Sequence, residues 1–170
     1  LPGGESSTQD RQLRLLELAE PLRAAIASGV PTLGTCAGLI LLAREVLDPA
    51  PGQESLGVLD VAVRRNAFGA QFVSTEAEFD VDAAGVAGLG AGGAVRGALI
   101  RAPEIVAIGA GARAIVRKDG RVLGATSLGA GDGNEPRPGL GAITGISFHP
   151  ELTGAPALPG ALLARGAPAG

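Results

Sequence analysis

One cysteine and one histidine occur among the 170 residues, Cys36 and His149, and a thiol beside an imidazole is a minimal pairing for making a nucleophile at neutral pH. Cys36 stands in Gly34-Thr35-Cys36-Ala37-Gly38, where a short apolar strand pattern turns directly into a helical one. Glycines two residues to either side admit a sharp strand-to-helix turn that holds the middle side chain out at the strand's carboxyl end. The helix N-terminus favours the thiolate, and the backbone N–H of Ala37 is aimed where an oxyanion would form. His149 ends the β-like run Gly145-Ile146-Ser147-Phe148-His149 before Pro150, and Glu151 follows two residues later. A carboxylate there can orient the imidazole and stabilise the imidazolium, giving a triad in the order Cys36, His149, Glu151.

Each residue alone has a plainer reading. A lone cysteine is usually a small buried hydrophobe, a lone histidine a satisfied core or surface residue, and a lone glutamate a solvated charge. It is the glycine frame together with the His-Pro-Glu run that favours catalysis.

The elements that must position these groups read as an α/β layer fold. Residues 7–28 carry Leu15, Leu18, Leu22 and Ile26 at spacings of three and four, which predicts one amphipathic helix stopped by Gly29. Residues 30–35 then form a strand, and residues 37–46 a more buried helix that ends before Asp48-Pro49-Ala50-Pro51-Gly52. Period-two patterning follows over 56–63, 72–81, 99–101, 112–116 and 122–127. The last two flank Lys118-Asp119-Gly120-Arg121, whose Asp-Gly pair specifies a tight hairpin. Residues 85–97 and 128–141 are glycine-rich and read as loops, and the tail from Gly154 offers one short helix at 160–165. Residues 1–170 are expected to form one domain, with 154–170 a weakly structured tail.

Composition closes off several function classes. With a net charge of -3, scattered arginines, four Phe and no Tyr or Trp, the chain has neither a phosphate-tracking stripe nor an aromatic platform, so nucleic acid is not an expected ligand. Apolar runs are far shorter than the ~18 residues of a membrane span. One Cys and one His cannot close a zinc site or an internal disulfide, which points to a reducing cytoplasm and no metal. Leu1-Pro2-Gly3-Gly4-Glu5 shows no feature of an export signal.

Five blocks together resemble a known family. They are Leu1-Pro2-Gly3-Gly4-Glu5-Ser6, Gly34-Thr35-Cys36-Ala37-Gly38-Leu39-Ile40-Leu41-Leu42-Ala43, Arg65-Asn66-Ala67-Phe68-Gly69, Ile100-Arg101-Ala102-Pro103 and Ser147-Phe148-His149-Pro150-Glu151-Leu152-Thr153. In this order they resemble the class I (triad) glutamine amidotransferases, and within them the glutaminase subunits of pyridoxal 5'-phosphate synthase, the PdxT/SNO family. The resemblance implies a three-layer, flavodoxin-like α/β fold. It further implies that Cys36 attacks the side-chain amide of L-glutamine to form a glutamyl thioester and release ammonia, with His149 shuttling the proton. Gly4, Glu5, Ser6, Arg65, Ile100 and Arg101 carry over as glutamine contacts, and the backbone of Gly4 joins Ala37 as the oxyanion hole. The chemistry requires no cofactor, and the implied partner is the synthase subunit in a hetero-oligomer.

The chain departs from that pattern in three places. Members normally begin further upstream, with a first strand and helix, so the resemblance implies an N-terminally truncated domain. Residues 128–141 form a longer link to the His149 strand than is usual, and Gly154-Ala155-Pro156-Ala157 replaces the start of a closing helix. Two other readings stay open: an ammonia donor of the same class serving a different synthase, and an inactive remnant that only binds a partner.

Overall fold

The computed structural model describes residues 1–67, 75–82, 93–128, 142–153 and Gly160. Its elements are α1 (Ser6–Leu15), α2 (Ala19–Ala27), β1 (Thr32–Thr35), α3 (Ala37–Leu42), β2 (Ala43–Val46), β3 (Leu59–Arg64), β4 (Thr75–Asp80), β5 (Ala94–Leu99), β6 (Glu104–Ile108), β7 (Ala112–Lys118), β8 (Arg121–Ser127), β9 (Ile143–Ile146) and a 3-10 turn at Pro150–Thr153.

The main sheet runs β1-β9-β8-β6-β3-β2, with β7 paired to β8. β1 and β9 are parallel, with Gly34 opposite Gly145 and Thr35 opposite Ile146. β3 buries Leu59, Val61 and Val63 on one face, the period-two pattern of a half-buried strand. A separate antiparallel pair, β4 and β5, packs against β7 and the 3-10 turn. Two apolar clusters form the core. One gathers Leu39, Leu42, Leu59, Val61, Val63 and Ile105 around α3, and the other gathers Phe79, Val95, Ile115, Leu123, Ile146 and Phe148 under the small sheet. Phe79 and Phe148 stack with ring centroids 4.2 Å apart, tying the small sheet to the segment that carries His149.

The single helix expected over residues 7–28 is two helices. Leu18 N–H donates to Leu13 O and Glu17 N–H to Arg14 O, the paired bonds of a Schellman stop, with Glu17 in the left-handed region at φ 57. The break leaves Leu15 and Leu18 largely exposed, at 77% and 47%, so the periodicity that joined them to Leu22 and Ile26 does not describe one buried stripe. The helix expected over residues 37–46 ends at Leu42. Ala43 adopts φ -57, ψ 144, and residues 43–46 instead pair in parallel with β3. Leu56 and Val58 N–H groups bind the carbonyls of Leu41 and Leu42, so tertiary partners take over where the helix would have continued.

Residues 94–97, expected in a loop, are strand, because every residue of β5 from Ala94 to Leu99 finds a partner on β4. Ile100 and Arg101, expected to continue a strand, turn away from it, with Arg101 at φ 44. β6 has no counterpart in the sequence reading and forms by pairing with β3 and β8. The expected hairpin is present: Lys118 pairs with Arg121 across Asp119 (φ 50) and Gly120 (φ 76), the two positive-φ positions of a type I′ turn. The expectations for residues 85–92 and 129–141, and for a helix at 160–165 beyond Gly160 itself, lie outside the described residues.

Candidate functional site

Thr35 and Ile146 lie opposite each other at the carboxyl ends of neighbouring parallel strands, and the chain leaves these ends toward Cys36 and His149. This is where open α/β sheets place ligands. Cys36 N–H donates to Ile146 O at 2.8 Å, which fastens the turn to β9. Cys36 itself holds φ 49, ψ -103, a conformation that L-residues adopt at a strained elbow, and it occupies the N-cap of α3. The flanking glycines are sterically required. A Cβ on Gly34 would lie 2.6 Å from the carbonyl of Gly38, and one on Gly38 would lie 2.2 Å from Leu1 O. Cys36 is 7% exposed, with Sγ 3.9 Å from Ile100 O.

His149 is held by its backbone as well as its ring. Its N–H donates to Ala98 O at 2.9 Å and its carbonyl accepts from Ala98 N–H at 3.2 Å, so β5 fixes the height of the imidazole. Phe148 just before it fills space that a Cβ on Gly97 would occupy, 2.4 Å from the ring. Nδ1 lies 2.8 Å from Glu151 Oε1, which leaves Nε2 for the thiol. The hydrogen bond with Cys36 is the largest influence on the imidazole and raises its pKa, burial opposes it, and Glu151 adds to the rise. The result is pushed up to about 9. The ring is thereby favoured in its protonated form at neutral pH.

Across from this pair, Glu5 caps α1, accepting from Ser7 Oγ at 3.0 Å and Ser7 N–H at 3.3 Å. These bonds, the Ser7 hydroxyl first, together with the charges of Arg65 and Arg101, hold the Glu5 carboxyl below its usual range against the effect of burial. Arg65 donates to Glu5 Oε1 at 3.1 Å and to Gln53 Oε1 at 2.9 Å, and Gln53 Nε2 donates to Ser6 Oγ at 3.0 Å. One amide thus ties the α1 N-terminus to the end of β3. Arg65 is spoken for by Glu5 and Gln53, whereas Arg101 is exposed and has no ion-pair partner among the described residues.

A cavity of about 220 Å³ is lined by Gly4, Glu5, Ser6, Cys36, Arg65, Ile100, Arg101 and His149, joined by Ile40 and Asn66. That volume suits a small metabolite, below the ~300–1,000 Å³ of drug-sized pockets. Ala37 is fully buried at the start of α3, and Glu151 stands behind His149 in the 3-10 turn. Ile40 and Asn66 were not singled out as lining residues from sequence. Ile40 falls four residues after Cys36, on the same helix face, and Asn66 takes φ 47, which Asn tolerates better than most residues, so both had a signal. Among the described residues no group of three or more His, Cys, Asp or Glu is placed to hold a metal, and no helix is long and apolar enough to cross a membrane.

The fold is that of the class I glutamine amidotransferases. A crystal structure of a glutamine amidotransferase superposes with a TM-score of 0.77 at 34% identity, covering 96% of this chain and 75% of that one. The chain belongs to the SNO glutamine amidotransferase family, whose model matches residues 1–157. Among curated relatives, the pyridoxal 5'-phosphate synthase subunit PdxT of Acidothermus cellulolyticus is 46% identical over 153 residues, covering 90% of this chain and 67% of that protein. The same subunit of Clavibacter sepedonicus is 44% identical over 155 residues, covering 91% and 65%. The chain thus spans about two thirds of the length of these relatives.

Proposed function

We propose that this chain is the glutaminase part of a pyridoxal 5'-phosphate synthase, hydrolysing L-glutamine to L-glutamate and ammonia and passing the ammonia to a synthase subunit in the cytoplasm. The observation that carries this reading is the convergence of Cys36, His149 and the Gly4-Glu5-Ser6 loop on one cavity, with Glu151 hydrogen-bonded to the far side of the imidazole.

The proposed sequence starts from the thiolate–imidazolium pair. Cys36 Sγ attacks the side-chain carbonyl carbon of glutamine, and the oxyanion is met by the N–H groups of Ala37 and Gly4. His149 gives its proton to the amide nitrogen, the C–N bond breaks, and ammonia leaves a glutamyl thioester on Cys36. A water then loses a proton to His149 as it attacks the thioester, and collapse of that intermediate releases glutamate and restores the thiolate and imidazolium. Glu151 keeps Nδ1 protonated and the ring in register throughout. For the substrate's zwitterion, Arg101, with no ion-pair partner among the described residues, is the better placed cation for the α-carboxylate, and Glu5 is the carboxylate facing the α-ammonium.

The test is ammonia release from L-glutamine by the chain combined with the synthase subunit of its source. Wild-type turnover that disappears in Cys36→Ala supports the reading. Ammonia release that persists in Cys36→Ala, or none with any synthase, contradicts it.

A further inference from the structure

Gln9 sits one turn into α1 and does not line the cavity, yet its side chain reaches back to the loop that does. Its Nε2 lies 2.9 Å from Gly3 O and 3.3 Å from Pro2 O, and 3.1 Å from where a Cβ on Gly4 would stand. Its Oε1 is buried with no partner among the described residues. Exchanging the two amide atoms would press an acceptor against two carbonyl oxygens, so the donor faces the loop. A buried acceptor left unpaired is destabilising, and it is tolerated here beside two bonds made by the nitrogen on the same amide.

Peptide planarity converts this clamp into an orientation of the next group. No described peptide bond is cis, so Gly3 C=O and Gly4 N–H point in opposite directions. With the carbonyl drawn toward Gln9 and α1, the Gly4 N–H is directed away from α1. It donates to no group among the described residues, and Gly4 lines the cavity beside Cys36 and His149. Gly4 holds φ +131, a region open to glycine, and Gly3 and Gly4 in sequence leave the peptide between them free to reverse unless something holds it.

We infer that Gln9 is a positioning residue. Its amide holds the Gly3–Gly4 peptide with the Gly4 N–H presented to the cavity, so that the second oxyanion donor is in place before glutamine arrives. The inference rests on the reading of Gly4 as an oxyanion donor given above.

Gln9→Met keeps the side chain's length and removes its donor, and Gln9→Glu keeps its shape and replaces donor with acceptor. In the full chain with its synthase, both are expected to lower kcat by about 10²-fold, as loss of one oxyanion donor does, while KM for glutamine stays within about twofold. Alkylation of Cys36 by iodoacetamide is expected to keep its wild-type rate, because the thiolate does not depend on Gly4. Unchanged kcat, a loss confined to KM, or a slowed alkylation would overturn the inference. Crystal structures of wild type and Gln9→Met read the same point without activity: a reversed or divided Gly3–Gly4 peptide in the variant is expected, and one orientation in both overturns it. A wild type that hydrolyses no glutamine counts against the glutaminase reading alone.

Discussion

Gly3 lies against the imidazole of His149 so closely that a Cβ built on it would stand 2.1 Å from His149 Cε1. No rotamer of a side chain at residue 3 avoids that contact, because the Cβ itself is the clashing atom. Gly3→Ala is expected to displace the ring and lower glutamine turnover by about 10²-fold, the scale of a misplacement of about 1 Å at a reacting group. The measurement is steady-state turnover alongside a thermal melt. A variant that melts like wild type and turns over at the wild-type rate would show that the contact relaxes harmlessly.

The raised pKa of His149 gives that group's own contribution to stability a definite direction with pH. An unfolded histidine titrates near 6.5 and this one at about 9, so between those values the folded state binds more protons than the unfolded state. The stabilisation is full below pH 6.5 and is lost as pH rises through 9. His149 is the chain's one histidine, so its imidazole proton resonance reads the shift directly: the NMR titration midpoint should lie near 9 in wild type and lower in Cys36→Ala, which removes the largest cause of the shift. Identical midpoints in the two proteins would contradict this.

The two arginines of the cavity should separate kinetically. Arg101 has no ion-pair partner among the described residues, so Arg101→Gln is expected to raise KM for glutamine by about tenfold or more with little change in kcat. Arg65 is bound to Glu5 and Gln53, so Arg65→Gln is expected to lower thermal stability as well, by loosening the start of α1. An Arg101→Gln enzyme with wild-type KM would remove Arg101 from substrate binding.

Glu17 ends α1 in a left-handed conformation at φ 57, where glycine is the usual residue. Its side chain is exposed, and replacing it relieves backbone strain at some cost in chain entropy. Glu17→Gly is expected to stabilise the fold by about 0.5–1 kcal/mol, and Glu17→Ala to give no gain. Chemical denaturation of the three proteins reads the difference.

The residues that come together at the candidate site were more legible in the sequence than the scaffold. Cys36 and its glycines are a local device, as is the Asp119-Gly120 turn, and local devices leave their mark within a few residues. The break at Glu17 and the early end of α3 at Leu42 were hidden because both helical patterns continue past them. What ends the second is a backbone bond from Leu56 and a strand partner in β3, neither visible from residues 37–46 alone. β5 looked like loop because its glycine-rich surroundings carry no period, yet β4 supplies a partner for each of its residues. The pairing of Arg65 with Glu5 joins residues sixty positions apart, so sequence could nominate both for the cavity but not their contact.

The proposed role of Cys36 is that of a nucleophile aimed into the cavity it shares with His149 and the Gly4-Glu5-Ser6 loop. A diazoketone analogue of glutamine, added to the chain with its synthase and followed by peptide mass spectrometry, tests it most directly. A single covalent adduct on Cys36 is expected, slowed by excess L-glutamine and greatly reduced in His149→Asn. No adduct on Cys36 in the folded protein, or one that glutamine does not slow, would contradict it.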